Sequence, residues 1–456
     1  MNEAPESPTA NMDFAAGGRE GRRSHMAALW TLVLLVAGTI AYPDTFVYAA
    51  LRAGSLRISP LGLLFAIATP AVLWRLWICR NRQALSPQII DLMLAVYIAF
   101  ITIRGMAAAS NANQLGLVLA FAGYVLLVYY GSAVVGQAQR SLRIMFLTVV
   151  VMGVAAAAYG LIEFALERNI LYGEIIKESV RPFPGEGYHR IGSLLGQPVV
   201  MGAFMVQTIP FVIYFFIRSS AALTRFAWGA AAVAVFLALI VTYSKGAWIT
   251  AALLIVGGLA WMTLRRPPAT RRLILLMGAV ALAAGMFTAS FYNTVHAGTL
   301  SKARTSESIS PRTYMWSKAP ATFMANPLIG AGLWKGGSEI HRVSQAPDRP
   351  NRPIAIDNMY LTVLIEQGLF GALLGASVLV LFGIHVLKLL KKGGTQAGWA
   401  WPLAVCMLVT IVNGLTFDIL MVWPTMVVFW LASGMVRALG ETARQAGQAL
   451  DSRVCG

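Results

Sequence analysis

The chain has 456 residues, of which 57% are hydrophobic and only 12% charged, with a formal net charge of +17. A soluble domain carries about 25% charged residues, so this composition excludes a water-soluble globular protein. The basic excess sits in small groups between apolar stretches rather than in one patch, which argues against nucleic acid as a partner.

Residues 1–25 are polar and rich in Gly, Pro and Ala, and read as a disordered cytoplasmic N-terminus. No clear small-x-small cleavage site follows the first apolar run at Tyr42-Pro43-Asp44, so that run reads as a retained span. Residues 26–437 read as a polytopic membrane domain and 438–456 as a cytoplasmic tail. About twelve apolar runs approach the ~20 residues that cross a bilayer. They fall at 26–42, 60–78, 88–106, 115–135, 142–166, 193–217, 225–243, 247–263, 272–290, 356–387, 399–415 and 418–437. Lipid offers backbone groups no partners, so these runs are expected to be helices and the fold class all-α. The alternating segments of a β-barrel are missing. The run 356–387 is longer than one crossing needs, so it extends beyond the bilayer or tilts.

Alternate short connections carry the cations. These are Arg19, Arg22 and Arg23, then Arg75, Arg80 and Arg82, then Arg140 and Arg143, then Arg218 and Arg225. Arg265, Arg266, Arg271 and Arg272 follow, then Lys388, Lys391 and Lys392, and finally Arg437, Arg444 and Arg453. This pattern predicts an inner-membrane protein with both termini in the cytoplasm. Cys79, Cys406 and Cys455 show no disulfide framework or metal spacing.

Two long connections, 167–192 and 291–355, fall on the outer side between spans 5 and 6 and between spans 9 and 10. The larger contains Lys302, Arg304, Arg312, Lys318, Lys335, Arg342, Arg349 and Arg352. Long translocated loops escape the positive-inside rule, and these cations suit an anionic partner at the outer interface. Ser310-Pro311 predicts a helix start. Tyr314, Met315, Ala319, Thr322 and Phe323 then share one face of an amphipathic helix lying on the membrane surface. Asn326-Pro327 ends it, and Gly330, Gly332, Gly336 and Gly337 predict a flexible, turn-rich segment.

Four constellations carry candidate chemistry. Tyr243-Ser244-Lys245-Gly246-Ala247-Trp248 puts a cation at the outer boundary, suited to a lipid diphosphate, although a snorkelling lysine gives the same pattern. Ser310-Pro311-Arg312-Thr313-Tyr314-Met315-Trp316 places Arg312 where a helix dipole disfavours it, as either a ligand contact or a solvated side chain. Asp357-Asn358-Met359-Tyr360-Leu361, continuing to Glu366-Gln367-Gly368, offers Asp357 as an acceptor of a sugar hydroxyl proton or as a helix cap. Glu366 lies inside a span, where an acid is functional or bonds neighbouring helices. Arg190-Ile191-Gly192-Ser193 supplies a phosphate or glycan contact or a boundary anchor. Arg104 and Glu163, near span ends, pair with each other or with headgroups; His341 lies in a mobile loop.

In this order the four constellations resemble the O-antigen ligase and polymerase superfamily, most strongly over 191–375. Lys245 stands in the arginine position of the family's Ser-Arg-Gly turn. Arg312 with Trp316 is similar to its Arg-x-x-x-Trp helix start. Asn326-Pro327-Leu328-Ile329-Gly330-Ala331-Gly332 is similar to its Asn/His-Pro-Leu/Ile-x-Gly-x-Gly turn. Asp357-Asn358-Met359-Tyr360-Leu361 with Glu366 and Gly368 resembles His-Asn-x-Tyr-Leu followed by Glu-x-Gly, with Asp357 in the histidine position. The resemblance implies a helical fold related to the GT-C glycosyltransferases. It also implies an undecaprenyl-diphosphate-linked glycan as donor, a glycan or lipid acceptor, and no metal or other cofactor. Lys245, Arg312 and Asp357 are then the catalytic candidates. Arg190, Asn358, Tyr360, Arg104 and Glu163 are substrate-binding candidates. Membrane lipids and other polysaccharide export proteins are the further expected partners. Polymerisation into O-antigen or exopolysaccharide leads, because Asp357 departs from the ligase histidine. Ligation to lipid A-core or another acceptor follows, and transport of a lipid-linked glycan is the rival from another class.

Overall fold

The computed structural model describes residues 18–41, 51–53, 56–58, 69–70, 88–171, 190–264, 303–344 and 356–454. The expected spans 60–78 and 272–290 lie outside these apart from residues 69–70, as do Arg75, Arg80, Arg82, Arg265, Arg266, Arg271, Arg272, Lys302, Arg349 and Arg352. Cys79 and Cys455 lie outside them too, while Cys406 is a buried free thiol.

The described chain is helical apart from one antiparallel hairpin, β1 (Leu51–Ala53) with β2 (Leu56–Ile58). The helices are α1 (Gly18–Ala41), α2 (Ile89–Ala108), α3 (Ala112–Val135), α4 (Gln139–Leu166), α5 (Pro198–Arg218) and α6 (Ala222–Val241). They continue with α7 (Lys245–Leu264), α8 (Ala303–Ala325), α9 (Gly336–Ser344), α10 (Met359–Lys392), α11 (Gly394–Asn413) and α12 (Trp423–Val454). Seven of them (α2, most of α3, α4, α5, α6, α10 and α11) are long and apolar enough to cross a membrane. The chain is a multi-pass α-helical membrane protein. Stretches of α1 and α7 are apolar but shorter. The helix that holds the twelfth expected span, α12, runs on to Val454.

Helices α3, α5 and α12 are the most enclosed, with Tyr124, Tyr129, Phe204, Phe211 and Phe429 fully buried. Leu92, Ile103, Leu223, Phe226, Val380 and Leu387 are exposed on α2, α6 and α10, as lipid-facing positions should be. Polar clamps lock the interior. Gln207 of α5 donates to Thr410 Oγ1 at 2.8 Å and to the Thr425 carbonyl at 3.1 Å, tying α5 to α11 and α12.

Arg437 is not the solvent-facing topological cation that its place in the sequence suggests. It is 1% exposed and sits between Asp91 of α2 at 3.2 Å and Glu441 at 3.1 Å. Tyr129 donates to the same Asp91 carboxylate at 2.9 Å. Removing one partner of such a buried pair costs about 3–5 kcal/mol.

The long run that begins α10 is neither a simple extension nor a straight tilted rod. The helix breaks at Gly368, with φ 67° and ψ −169°, a region open essentially to glycine alone. The break frees the carbonyls of Ile365 and Glu366 and the N–H groups of Leu369 and Phe370. The segment 327–332 satisfies all four. Ala331 N–H donates to the Ile365 carbonyl and Gly332 N–H to that of Glu366, both at 2.8 Å. Leu369 N–H donates to the Pro327 carbonyl at 2.8 Å and Phe370 N–H to that of Leu328 at 3.0 Å. The glycine-rich segment is therefore held in place, not free. A Cβ on Gly330 would lie 2.4 Å from the Glu366 carbonyl carbon, and one on Gly368 would lie 2.5 Å from that of Leu328.

The long connection between the ninth and tenth expected spans differs from expectation in three ways. Its helix α8 begins at Ala303, so Pro311 lies inside it. A proline opposes a helix interior by about 3 kcal/mol, against which Met315 and Ala319 pack with Ile340, Ile356 and Ile365 in a small second core. Tyr314 is 38% exposed and leaves the buried face, which Met315, Ala319 and Thr322 keep. His341 belongs to helix α9, not to a loop.

Gly368→Ala is expected to lower stability by several kcal/mol, combining about 1–3 for the backbone region with about 1–3 for overpacking. Thermal unfolding of the detergent-purified protein measures it; a shift within error of wild type contradicts the crossing.

Candidate functional site

One end of the bundle collects the candidate residues, and hydrogen bonds join them. Helices α2, α4, α6 and α11 finish there; α5, α7, α10 and α12 begin there. On the first side, Arg190 donates from Nε to the Thr242 carbonyl at 3.1 Å and from Nη2 to that of Tyr243 at 3.5 Å. This seats Arg190 on the tight turn between α6 and α7. Tyr243 sits in the left-handed region at φ 53°, and the turn delivers Lys245 as the first residue of α7. Lys245 is exposed and makes no ion pair among the described residues.

On the second side, Arg312 of α8 donates from Nε to Asp357 Oδ2 at 2.9 Å, with 36% and 27% of the two side chains exposed. Trp316, one turn on, donates to the Ile356 carbonyl at 3.0 Å, fixing α8 to the strand of chain that carries Asp357. Asp357 is left-handed at φ 54°. It does not cap α10. Asn358 does, its Oδ1 accepting from the N–H groups of Tyr360 and Leu361, both at 3.1 Å.

The connection between α11 and α12 joins the two sides. Gly414 accepts from Met359 N–H at 2.8 Å, and Leu415 from Asn358 Nδ2 at 3.1 Å. Tyr360 donates to the Ile411 carbonyl at 2.6 Å. Across the same connection, Thr416 lies against Gly246, where an added Cβ would come within 2.0 Å of its hydroxyl oxygen. Thr362 donates to Asp418 Oδ1 at 2.7 Å. Asp418 was not among the residues singled out from sequence. Its only signal there is an acid in the short apolar connection Gly414-Leu415-Thr416-Phe417-Asp418. Burial pushes its carboxyl up to about 6, reinforced by the neighbouring Asp357 charge and opposed by the Thr362 hydroxyl and the Asp357 and Asn358 N–H groups.

Three further acids and bases serve the scaffold of this end. Arg104 does not pair with Glu163. Its Nη2 donates to the Gly330 carbonyl at 2.6 Å and its Nε to the carbonyls of Gly330 and Ile329 at 3.1 and 3.2 Å. Glu163 is 2% exposed and accepts from Ser193 N–H at 2.7 Å, Gly192 N–H at 3.3 Å and Asn169 Nδ2 at 3.2 Å. Glu366 is buried and accepts from Gly336 N–H at 3.0 Å, a carboxylate placed at the start of α9, where the helix dipole favours it.

The arrangement presents a free-standing cation, a second cation shared with a carboxylate, and a partly buried acid behind that carboxylate. Such a set can neutralise an anion and orient a hydroxyl group beside it. Residues 230–376 match the family model described as O-Antigen ligase. The matched stretch contains Lys245, Arg312, the 326–332 turn and Asp357 through Gly371, while Arg190 and Asp418 lie outside it. No curated protein matches the chain.

Glu163→Ala should leave two buried N–H groups without their acceptor, each worth about 1–3 kcal/mol. The expected result is a loss of several kcal/mol in thermal unfolding, with Glu163→Gln intermediate. Wild-type stability in Glu163→Ala would contradict this role.

Proposed function

We propose, on the premise that residues 230–376 place this chain in the O-antigen ligase/polymerase superfamily, that it is an inner-membrane glycosyltransferase polymerising lipid-diphosphate-linked glycan at the outer face. The observation that carries the reading is the Arg312–Asp357 pair at 2.9 Å, linked through the 414–418 connection to the turn that bears Lys245.

In the proposed reaction an acceptor hydroxyl attacks the anomeric carbon of the donor. The new glycosidic bond forms as the bond to the lipid diphosphate breaks. The departing diphosphate takes the bonding electrons, and Lys245 and Arg312 neutralise the charge it gains. The acceptor proton passes to Asp357 or to the departing group. Only Nε of Arg312 is engaged among the described residues, so its Nη groups are available to phosphate oxygens. Lys245 offers a point charge rather than a fork, which suits capture more than orientation. Asn358 and Tyr360 hold the start of α10, and Arg190 holds the Lys245 turn; in the proposal these three, Arg104 and Glu163 contact substrate through the donors and acceptors that their internal bonds leave spare. Undecaprenyl diphosphate as the lipid, metal independence, export-protein partners and cytoplasmic termini belong to the same proposal. Ligation to a lipid acceptor uses the same groups and differs in the acceptor alone.

Deleting the gene and complementing it with Lys245→Ala, Arg312→Ala or Asp357→Ala tests this. Each variant, at matched protein level, should lower glycan transfer by about 100-fold or more, as loss of a preorganised charge contact does. Short units still joined to their final acceptor indicate polymerisation; long chains left unattached indicate ligation. Normal glycan in all three variants removes the site. Treating active membranes with a chelator should leave transfer unchanged.

A further inference from the structure

Asp418 belongs to none of the sequence constellations and lies beyond the family match. Yet the polar contacts of its carboxylate reach into the candidate site. Oδ1 accepts from Thr362 on the first turn of α10. The carboxylate also accepts from the backbone N–H groups of Asp357 and Asn358. Those two N–H groups bracket a residue at φ 54°, a conformation that a non-glycine residue holds only when its surroundings impose it. The neighbouring backbone of the same connection binds Met359 and Asn358 and lies against Gly246. One partly buried acid thus holds the strained turn that aims Asp357 at Arg312.

We infer that Asp418 is a positioning residue of the glycan-transfer site, its ionised carboxylate fixing the backbone at Asp357 and thereby the place where the Arg312–Asp357 pair meets substrate. The inference rests on the transferase reading above. The charged groups that act on Asp418 are Asp357 on the approach to α10 and Glu366 of α10; Arg312 of α8 is paired to that Asp357, and Lys245 of α7 precedes Gly246, against which Thr416 lies.

The pH dependence has a definite sign. The Asp418 carboxyl titrates near 6 in the folded chain against an ordinary value of 3.8. The folded state therefore holds a proton that the unfolded chain releases between those values, and protonation of this group favours folding as pH falls. The same protonation removes the charge that grips the two N–H groups. A loss of activity as pH falls through about 6, with the fold intact, reports lost positioning and not unfolding.

The test uses membranes carrying the full-length protein, with lipid-linked glycan extracted from the deletion strain as donor. Transfer is followed by product size between about pH 5 and about pH 8. Wild type should lose transfer below about pH 6. Asp418→Asn should transfer about 10-fold to 100-fold more slowly at neutral pH, the scale of a small misplacement, with the limb near 6 flattened and unfolding temperature not reduced. Thr362→Val removes a bond that favours the charged form, so its limb should move to higher pH, and Thr362→Ser should restore it. A wild-type profile in Asp418→Asn, beside an inactive Asp357→Ala, overturns the inference and leaves the transferase standing. If Asp418→Asn does not accumulate, an unmoved limb in Thr362→Val overturns it instead. Full activity in both Arg312→Ala and Asp357→Ala brings down the transferase reading, and this inference with it.

Discussion

A helix broken inside a membrane must find new partners for the backbone groups it frees, because lipid supplies none. Here the freed groups on either side of Gly368 are met by the segment 327–332, and that segment can come close enough only because Gly330 and Gly368 lack side chains. Arg104 clamps the crossing from α2, and Glu366 carries it onward to the start of α9. The helices α8 and α9 are thereby bound to the first half of α10. Arg312 can meet Asp357 because this crossing fixes where α8 lies.

The two ends of the bundle are built differently. The far end is closed by buried charge: Arg437 between Asp91 and Glu441, with Tyr129 on the same carboxylate. That arrangement joins α2, α3 and α12 rigidly. The candidate-site end instead stores backbone strain. Glu167, Ser193, Tyr243, Trp334 and Asp357, the non-glycine residues with positive φ among the described residues, all lie there. Left-handed backbone costs such residues about 1–2 kcal/mol each. Strain of this kind gathers where side chains must be aimed.

The membrane class and most of the helices were legible, because an apolar run of about 20 residues has few other readings. The four constellations were legible as separate patches, three with an unusual charge at a span end and one with Arg312 at an expected helix start in the long connection. Their convergence was not, since it depends on the backbone of residues 414–418, whose carbonyls carry no sequence signal. The break in α10 was hidden for a related reason. Gly368 lies in an otherwise continuous apolar run with several other glycines, and hydropathy does not register a backbone angle. Pro311 misled in the opposite direction, because it reads as a local start signal while the helix begins at Ala303, with Met315 and Ala319 packed in the second core. Arg437 read as a loop cation because its partner Asp91 is 346 residues away in sequence.

The division of charge within the site follows from these constraints. Arg312 is fixed by its carboxylate partner and by the neighbouring Trp316 bond, so its remaining guanidinium nitrogens are held in a set position. Lys245 has no partner among the described residues, and its position comes only from the turn that Arg190 braces. An exposed point charge and an anchored planar one would be complementary toward a diphosphate, the first attracting it with little geometric demand and the second orienting it. An arginine at position 245 would add a second fork where the structure supplies no carboxylate to hold it. Lysine at that position is therefore consistent with a site whose orientation is already set by Arg312 and Asp357.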